Sequence, residues 1–304
     1  MKQLSKETVN WLDVGVEEEG QRIDNYLIRW LKGVPKSHVY RILRSGEVRV
    51  NKGRIGPDYR VQSGDKVRVP PIRTAAPAAA GAPKSGARVK FDLLYEDAAL
   101  LVINKPSGLA VHGGSGISLG AIEQLREARP EAKFLELVHR LDRDTSGLVL
   151  LALDPALHRA LSQLFAERLV RKTYRADVLG VPAQPAGSIH LPLARRSRQP
   201  PLYGPDPAGK PAHTDWQLLE ACGLWSRLEL QPHTGRSHQL RAHLAAIGHP
   251  ILGDPLYGDQ GEAMPETGCT AGAAASRLRL HAKALAFRHP LSGDDLQFHS
   301  ACPF

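Results

Sequence analysis

The densest group of chemically capable side chains lies at residues 138–147, which read VHRLDRDTSG. Two carboxylates, Asp142 and Asp144, and two arginines, Arg140 and Arg143, stand close together just before an apolar run. A carboxylate placed in a pocket serves as a nucleophile or as a general base. A solvated turn has a similar composition, but the small residues that follow and the apolar run behind them favour a site.

A second segment, residues 233–241 with the sequence HTGRSHQLR, joins a predicted strand to a predicted helix. Backbone N–H groups at the start of that helix, together with Arg236, favour an anion or a carboxylate. His233, His238 and His243 repeat every five residues, whereas histidines that bind zinc from one helix face are four residues apart. We therefore expect no metal site here, and His243 is interpreted as a packing or capping residue.

Two shorter segments carry the remaining candidates. Tyr174 closes the run RKTY at residues 171–174, where a predicted helix passes into a strand. A tyrosine at such a place either packs in the core or stacks on a base in a pocket. Residues 277–282, RLRLHA, predict a short strand with basic residues on its outer face, and Leu280 lies in it. The alternative for that segment is an ordinary amphipathic strand.

Charge and cysteine content narrow the class of protein. The 304 residues carry a formal charge of +9 and a pI of about 9.6, which favours an anionic partner, nucleic acid first. Cys222, Cys269 and Cys302 form no CxxC pair and predict neither a disulfide framework nor a zinc site. The first ten residues are polar and no apolar run is long enough to span a bilayer. We therefore expect a cytoplasmic protein with no membrane partner.

The chain divides at residues 70–90, a stretch rich in Pro, Ala and Gly that cannot bury enough surface to order itself. Before it, apolar residues at helical spacing predict a helix over residues 22–31. A second helix is predicted from an N-cap at Ser37 to a stop at Gly46, and two short strands follow. Basic residues that suit contact with phosphates gather on and beside this second helix: Lys36, His38, Arg41, Arg44, Arg49, Lys52 and Arg54.

The larger part of the chain mixes strands and helices without a regular alternation. One helix opens at Asp154-Pro155, an N-cap followed by proline, and another is predicted over residues 237–247. Residues 197–211 and 258–275 are predicted loops that close over a large substrate. The pattern predicts an α+β fold with a mixed, mainly antiparallel central sheet and flanking helices and loops. The predicted strands cover residues 100–104, 148–152, 174–179, 214–220 and 227–230.

These segments resemble two known families. The runs QRIDNYL, PKS and GEVRVN, within residues 21–51, are similar to an S4 domain, a small α/β module that binds RNA. The ordered set HRLD-x-D-T-S-G, K-x-Y, T-G-R-x-H-Q-x-R and R-L-x-L-H-A resembles the RluA-type pseudouridine synthases. The resemblance implies an S4 domain over residues 1–72, a flexible linker over 73–89 and a catalytic domain over 90–304.

The resemblance also implies roles for single residues. Asp142 matches the family's catalytic aspartate, and Arg236 matches an arginine that pairs with it. Arg140 matches an arginine that holds the RNA while the target base is extruded. Tyr174 matches a tyrosine against the flipped uracil, and Leu280 an aliphatic residue of the base pocket. The implied RNA-binding residues of the S4 domain are Lys36, Ser37, Arg41, Arg44 and Arg49.

The implied reaction converts uridine to pseudouridine: the C1′–N1 bond breaks, the uracil turns, and a C1′–C5 bond forms. Because the reaction needs no redox partner and no group donor, no cofactor and no metal are expected. Residues 33–44 resemble family members that act on large-subunit RNA. The implied partner is therefore 23S ribosomal RNA, free or in an assembly intermediate, and the enzyme is expected to be a monomer.

Several alternatives stay open at this stage. Asp142 has three possible first steps: attack on the sugar, attack on the ring, or removal of a proton. The RNA substrate could be tRNA. The protein could also be a catalytically silent RNA-binding or ribosome-assembly factor that keeps the fold. A histidine-based metalloenzyme is the least favoured reading, and it predicts bound zinc.

Overall fold

The computed structural model describes residues 8–31, 34, 36–72, 89–113, 119–258 and 277–304. The chain divides into two compact units, Met1–Ser85 and Gly86–Phe304. Most of the predicted linker and nearly all of the predicted loop over residues 258–275 lie outside the described residues. None of the described helices combines the length and the apolar surface that crossing a membrane would require.

In its described residues, the smaller unit has two α-helices and a four-stranded antiparallel sheet that share one apolar core. Ile23 and Leu27 on the first helix and Ile42 and Leu43 on the second are almost fully buried, as their helical spacing predicts. The stop at Gly46, which has a φ of +73°, is confirmed. The elements are β1 (Asn10–Asp13), a 3₁₀ turn (Val16–Glu18), α1 (Ile23–Trp30), α2 (Lys36–Arg44), β2 (Arg49–Val50), β3 (Gly53–Arg54) and β4 (Lys66–Val69).

The predicted N-cap of α2 at Ser37 is wrong. The helix begins at Lys36, so Ser37 lies within the first turn. The side chains of Lys36 and Ser37 lie outside the described residues. The sheet order of this unit is β1-β4-β2-β3.

The larger unit is built on one ten-stranded sheet. Its elements are β5 (Asp92–Glu96), β6 (Leu100–Lys105), α3 (Ala121–Ala128), β7 (Glu136–Leu137), β8 (Ser146–Ala152), α4 (Pro155–Ala166), β9 (Arg171–Leu179), β10 (Ala186–Ile189), β11 (Leu193–Arg198), β12 (Pro201–Pro205), β13 (Thr214–Cys222), β14 (Trp225–Pro232), α5 (Gln239–Ala246), β15 (Leu280–Arg288) and β16 (Asp295–His299). The main order is β10-β13-β14-β9-β15-β8-β6-β5, with β16 beside β15, β7 beside β8, and β11–β12 as a separate hairpin. Because every described pairing but β8–β15 is antiparallel, the predicted α+β fold is confirmed.

Strand β8 is the best-buried strand of the sheet. All seven of its residues are buried, because apolar clusters cover both faces. Helix α3 contributes Leu125 to one cluster, and helix α4 contributes Leu161 to the other. Helix α4 begins as predicted, since Asp154 Oδ1 accepts the N–H of Leu157 at 2.8 Å. Burial on both faces gives the turn that precedes β8 a rigid support.

Two expectations for the larger unit are wrong. Residues 197–211, predicted as a loop, contain most of the β11–β12 hairpin. A two-stranded ribbon leaves one edge of each strand without ladder partners, so it accommodates prolines. Arg279, predicted on an outer strand face, is buried and donates to Asp177 Oδ2 at 3.1 Å. The fully buried Asp177 carboxylate requires cationic partners, and Arg227 also donates to it at 2.8 Å.

The parallel pairing of β8 with β15 places Ala282 opposite Gly147. Gly147 has a φ of +113°, and a Cβ atom at this position would collide with the backbone of Ala282. Only glycine combines this backbone conformation with such a close approach. The start of β15, at Leu280, therefore lies beside the start of β8 and the turn that carries Asp142.

We expect Gly147→Ala to lower the free energy of unfolding by about 3 kcal/mol or more, because strain and a backbone collision add. Gly223→Ala is the matched control: its φ is +70° and no atom lies within 4 Å of the added Cβ. Its cost should be about 1 kcal/mol, for backbone strain alone. Urea unfolding measures both, and equal costs would show that the β8–β15 approach does not restrict this position.

Candidate active site

A pocket of about 480 Å³ in the larger unit brings the four sequence segments together. The turn before β8, the start of β9, the connection from β14 to α5 and the start of β15 each contribute to its wall. All five predicted site residues of this unit line it: Arg140, Asp142, Tyr174, Arg236 and Leu280.

The turn that carries Asp142 is held by a buried lysine. Lys105, at the end of β6, is fully buried. Its Nζ donates to the carbonyl oxygens of Pro106, Leu109 and Arg143 at 2.9, 2.8 and 2.9 Å. Burial lowers the pKa of Lys105 to about 7, but three donated hydrogen bonds need the three N–H groups of the ammonium form. The lysine thus ties the chain after β6 to the residue that follows Asp142.

Arg241, and not Arg236, is the arginine beside Asp142. Arg241 Nη1 lies 3.8 Å from Asp142 Oδ2. Arg236 lines the same pocket, but its Nε donates to the carbonyl oxygen of Pro211 at 3.0 Å. Among the described residues, Arg241 and His238 are the ones that bring a basic nitrogen within 4.0 Å of Asp142. The structure therefore does not show the predicted pairing of Arg236 with Asp142.

A second carboxylate fixes the orientation of Arg241. Asp254 is buried, and both of its oxygens accept hydrogen bonds of 2.7 Å from the Arg241 guanidinium. Such a bidentate pair fixes the plane of the guanidinium. The guanidinium carbon also lies 5.0 Å from the centre of the Tyr257 ring. Arg241 therefore presents its remaining nitrogen to Asp142 from a rigid position.

A left-handed residue separates the two arginines. His238 has a φ of +53°, and α5 begins only after it, at Gln239. Arg236 precedes the helix and lies partly exposed, whereas Arg241 is in the first turn and is buried. The sequence carried one signal for this arrangement: Arg241 directly follows Leu240 and comes three residues before Leu244, within a mostly apolar helix.

His238 is the second basic group near the carboxylate. Its Nε2 lies 4.0 Å from Asp142 Oδ2, and its Nδ1 lies 3.0 Å from the hydroxyl of Tyr257. Desolvation lowers the pKa of His238, while the charge of Asp142 acts in the opposite direction. Sequence reasoning placed this histidine in the T-G-R-x-H-Q-x-R motif and in a rejected metal set, without giving it a role at the site.

Tyr174 and Leu280 form an uncharged wall of the pocket. Tyr174 pairs with Ala282 across β15 and with Leu230 across β14. Leu280 is buried and pairs with Ala176, two residues after Tyr174 on β9. Burial, and secondarily the charge of Asp142, raises the pKa of the Tyr174 hydroxyl, so that it stays protonated. The wall offers an aromatic ring and an aliphatic side chain to a planar ligand.

His139 positions the turn from the other side. Its ring stacks on Phe165 at 4.7 Å with an interplanar angle of 14°. Its Nε2 accepts the N–H of Leu150 at 3.1 Å, so the neutral ring carries its proton on Nδ1. Desolvation lowers the pKa of His139 to about 3, which keeps the ring neutral. His139 thus acts as a packing and hydrogen-bonding support within the HRLD run.

The mouth of the pocket is basic. Arg140 and Arg168 are exposed on its lining, and Lys172 is partly buried there. Desolvation, and secondarily the charge of Arg168, lowers the pKa of Lys172. Such a rim attracts a polyanion, while the inner wall favours an uncharged ring.

The three histidines of the rejected metal set have separate partners. His233 Nε2 lies 2.6 Å from an oxygen of Asp215, and His238 contacts Tyr257 and Asp142. His243 is buried against Thr214 and the carbonyl oxygen of Leu191. This geometry agrees with the packing interpretation of His243 and leaves the three rings with no common centre.

The smaller unit has a basic surface of its own. Arg41 and Arg44 on α2 are exposed, as is Arg49 on β2. Arg49 lies directly opposite Arg54 on β3 and Arg68 on β4. Like charges directly opposite each other in a sheet are unfavourable, so an anion across this row would stabilise it.

Two family comparisons agree with this architecture. Residues 99–246 match the RNA pseudouridylate synthase family, and residues 21–67 match the S4 domain. The solved structure of human RNA pseudouridylate synthase domain containing 1 is similar, with a TM-score of 0.60 and 28% identity over 73% of this chain and 87% of that chain. The chain belongs to the RNA pseudouridylate synthase family, and it is a pseudouridine synthase with an S4 domain.

Some relatives are similar to this protein over nearly the whole chain. Ribosomal large subunit pseudouridine synthase C of Pasteurella multocida is 44% identical over 307 residues, which cover 98% of this chain and 92% of that protein. The protein of the same name from Escherichia coli K12 is 45% identical over 298 residues, covering 96% and 93%. The similarity therefore includes both units.

We expect Arg241→Lys to damage the site far more than Arg236→Lys. Lysine cannot replace the bidentate contact with buried Asp254, so stability should fall by about 3 kcal/mol. Displacement of the cation beside Asp142 should lower pseudouridine formation by about 100-fold or more. Tritium release from 5-tritiated uridine in RNA of cells lacking the gene measures this activity. A larger loss in Arg236→Lys would reverse the assignment of the two arginines.

Proposed function

We propose that this enzyme isomerises specific uridines of 23S ribosomal RNA to pseudouridine, with Asp142 as the catalytic carboxylate. The observation that carries the proposal is the position of Asp142, which lies in the pocket between rigidly held Arg241 and the uncharged wall of Tyr174 and Leu280. The near full-length similarity to large-subunit synthases supports ribosomal RNA as the substrate.

The pocket suits a single extruded base. Its volume of about 480 Å³ is within the range of small-ligand sites. In the proposed complex, the Tyr174 ring packs against the uracil and Leu280 borders its other side. The base must leave its helix to be reached, which costs a few kcal/mol, and stacking in the pocket offsets this cost.

Asp142 supplies the group that starts the reaction. The C1′–N1 bond breaks, the uracil turns within the pocket, and C5 bonds to C1′. The proton on C5 then leaves and N1 gains one, so that atoms and charge balance. An ionised carboxylate at the nucleotide can attack the sugar, attack the ring, or take a proton. Arg241 stabilises that charge by attraction and keeps the carboxylate oriented.

The remaining basic residues bind the RNA backbone. Arg140 at the mouth, together with Arg168 and Lys172, is placed to contact phosphates around the extruded nucleotide. Arg236 binds the strand in this proposal and does not pair with Asp142. The S4 surface with Arg41, Arg44 and Arg49 adds contacts that do not depend on sequence. The proposal includes a monomeric enzyme that works in the cytoplasm, where ribosomal RNA is assembled.

Mapping pseudouridines in 23S ribosomal RNA and in tRNA, with and without the gene, tests the substrate. Restoring the gene as Asp142→Asn tests the residue: we expect at least about 1,000-fold slower formation, because the neutral amide is neither nucleophile nor base. Asp92→Asn, a change at an exposed carboxylate of β5, is the matched control and should retain activity.

Other results of these experiments would contradict different parts of the proposal. Modification restored by Asp142→Asn would show that another group does the chemistry. Sites that change in tRNA alone would replace the ribosomal substrate with tRNA. A gene whose loss changes no uridine would make the protein a silent RNA-binding factor.

We expect the S4 surface to control the salt dependence of binding. Replacing Arg41, Arg44 and Arg49 with alanine should weaken RNA binding and reduce the slope of log K against log salt by about 0.7 to 0.9 per lost phosphate contact. Arg29→Ala, an exposed arginine of α1, is the matched control and should leave the slope unchanged. A triple variant with the parental slope would show that RNA does not contact this surface.

A further inference from the structure

Three histidines form a ladder across neighbouring strands at the edge of the pocket. His190 directly follows β10, His213 directly precedes β13, and His233 directly follows β14. The registers pair Ile189 with Thr214 and Thr214 with Pro232, so the three histidines occupy one rung across the sheet. Their rings stack, with centroids 3.9 Å apart for the first two and 4.2 Å for the second two.

A carboxylate fixes the orientation of two of these rings. Asp215 is two residues from His213, on the same strand face. Its oxygens lie 2.9 Å from His213 Nε2 and 2.6 Å from His233 Nε2, and Ser188 Oγ donates to it at 2.5 Å. The hydrogen bond from Ser188, then those from the two histidines, lower the pKa of Asp215 to about 2. The ionised carboxylate only accepts, so both imidazoles donate from Nε2 and are held in place.

The ladder ends with one ring open to the pocket. The side chain of His233 is 48% exposed and lines the same pocket as Asp142. Strand β9 pairs with β14 only as far as Tyr174 and Leu230, and the pocket opens where that pairing stops. In the described part of the sheet, the β9–β14 ladder therefore stops short of His233, and the pocket that His233 lines lies beside it.

We propose that the open face of His233 is a stacking site for an unpaired nucleobase next to the target uridine; this inference rests on the proposed function. Extruding the uridine leaves its neighbour without a stacking partner on one side. Histidine is among the side chains on which single-stranded RNA bases stack. A ring already held by Asp215 and His213 loses little rotational freedom when a base binds.

The ladder geometry disfavours two other ligands. His213, Asp215 and His233 have ligand atoms near enough for a metal ion, but an ion must lie close to the plane of each imidazole that binds it. The His213 and His233 rings are nearly parallel, at 11°, so the directions of their Nε2 lone pairs do not converge. A phosphate near the Nε2 atom of either ring would meet the Asp215 carboxylate, which repels it.

The test uses the full-length enzyme and a short RNA around a uridine that mapping assigns to it. Binding by fluorescence anisotropy and pseudouridine formation are measured for wild type, His233→Ala and His233→Phe. His299→Ala, an exposed histidine of β16 that does not line the pocket, is the control. Each protein is also tested with RNA in which the nucleotide on the 5′ or the 3′ side of the target is abasic.

Stacking predicts that His233→Ala weakens binding by about 5- to 20-fold, while His233→Phe stays within about threefold of wild type and His299→Ala is unchanged. The effect of His233→Ala should disappear with one of the two abasic RNAs, because the contacted base is then missing. Rescue by phenylalanine also shows that loss of folding does not explain the alanine result.

Other results overturn the inference. If phenylalanine binds as weakly as alanine, or if both abasic RNAs keep the full penalty, His233 contacts phosphate. Stoichiometric zinc, with binding lost on chelation and restored by Zn²⁺, would make the cluster a metal site. Normal modification with no effect of His233→Ala removes the stacking site alone, whereas a wild-type enzyme that modifies no uridine removes the proposed function as well.

Discussion

The parallel contact between β8 and β15 determines where every part of the pocket lies. It pairs only two residues of each strand, with Ala282 against Gly147, yet it joins the two antiparallel halves of the sheet. The turn with Asp142 ends where β8 begins, and Leu280 opens β15 at the same edge. Because β15 also pairs with β9, Tyr174 is brought to that edge as well. One backbone contact thus collects groups from distant parts of the chain.

Buried charge gives this edge its rigidity. Arg241 is fixed by Asp254, and Lys105 binds three carbonyl oxygens around the turn. Burying these ions has a desolvation cost, so such pairs are weak evidence for stability. They do restrict geometry, since each has few alternative partners in the interior. The arrangement suits the proposed reaction, in which the Asp142 carboxylate meets one atom of an extruded nucleotide and a displacement of about 1 Å is costly.

The sequence predicted elements whose physical basis is local, and it failed where the answer depends on register. Periodicity and capping signals located α1, α2, α4, α5 and the buried strand β8, but they missed α3. The HRLD run located the turn with Asp142. The sequence did not distinguish Arg236 from Arg241, because both lie in one motif and only the fold shows that Arg236 precedes α5 while Arg241 lies in its first turn. The sequence also could not predict the stacking of His190, His213 and His233. Strand β10 was not predicted, and the alignment of three strands depends on long-range pairing.

The strand order sets a constraint on how the protein is made. Strand β15 lies between β9 and β8, although it follows both of them in the chain by a long interval. A growing chain therefore holds two halves of a sheet with unpaired edges until β15 leaves the ribosome. Such edges invite pairing with other chains, so this interval is when aggregation competes with folding. The same delay keeps the pocket incomplete until β15 has been made, because Leu280 and the strand that pairs with Tyr174 come late in the chain.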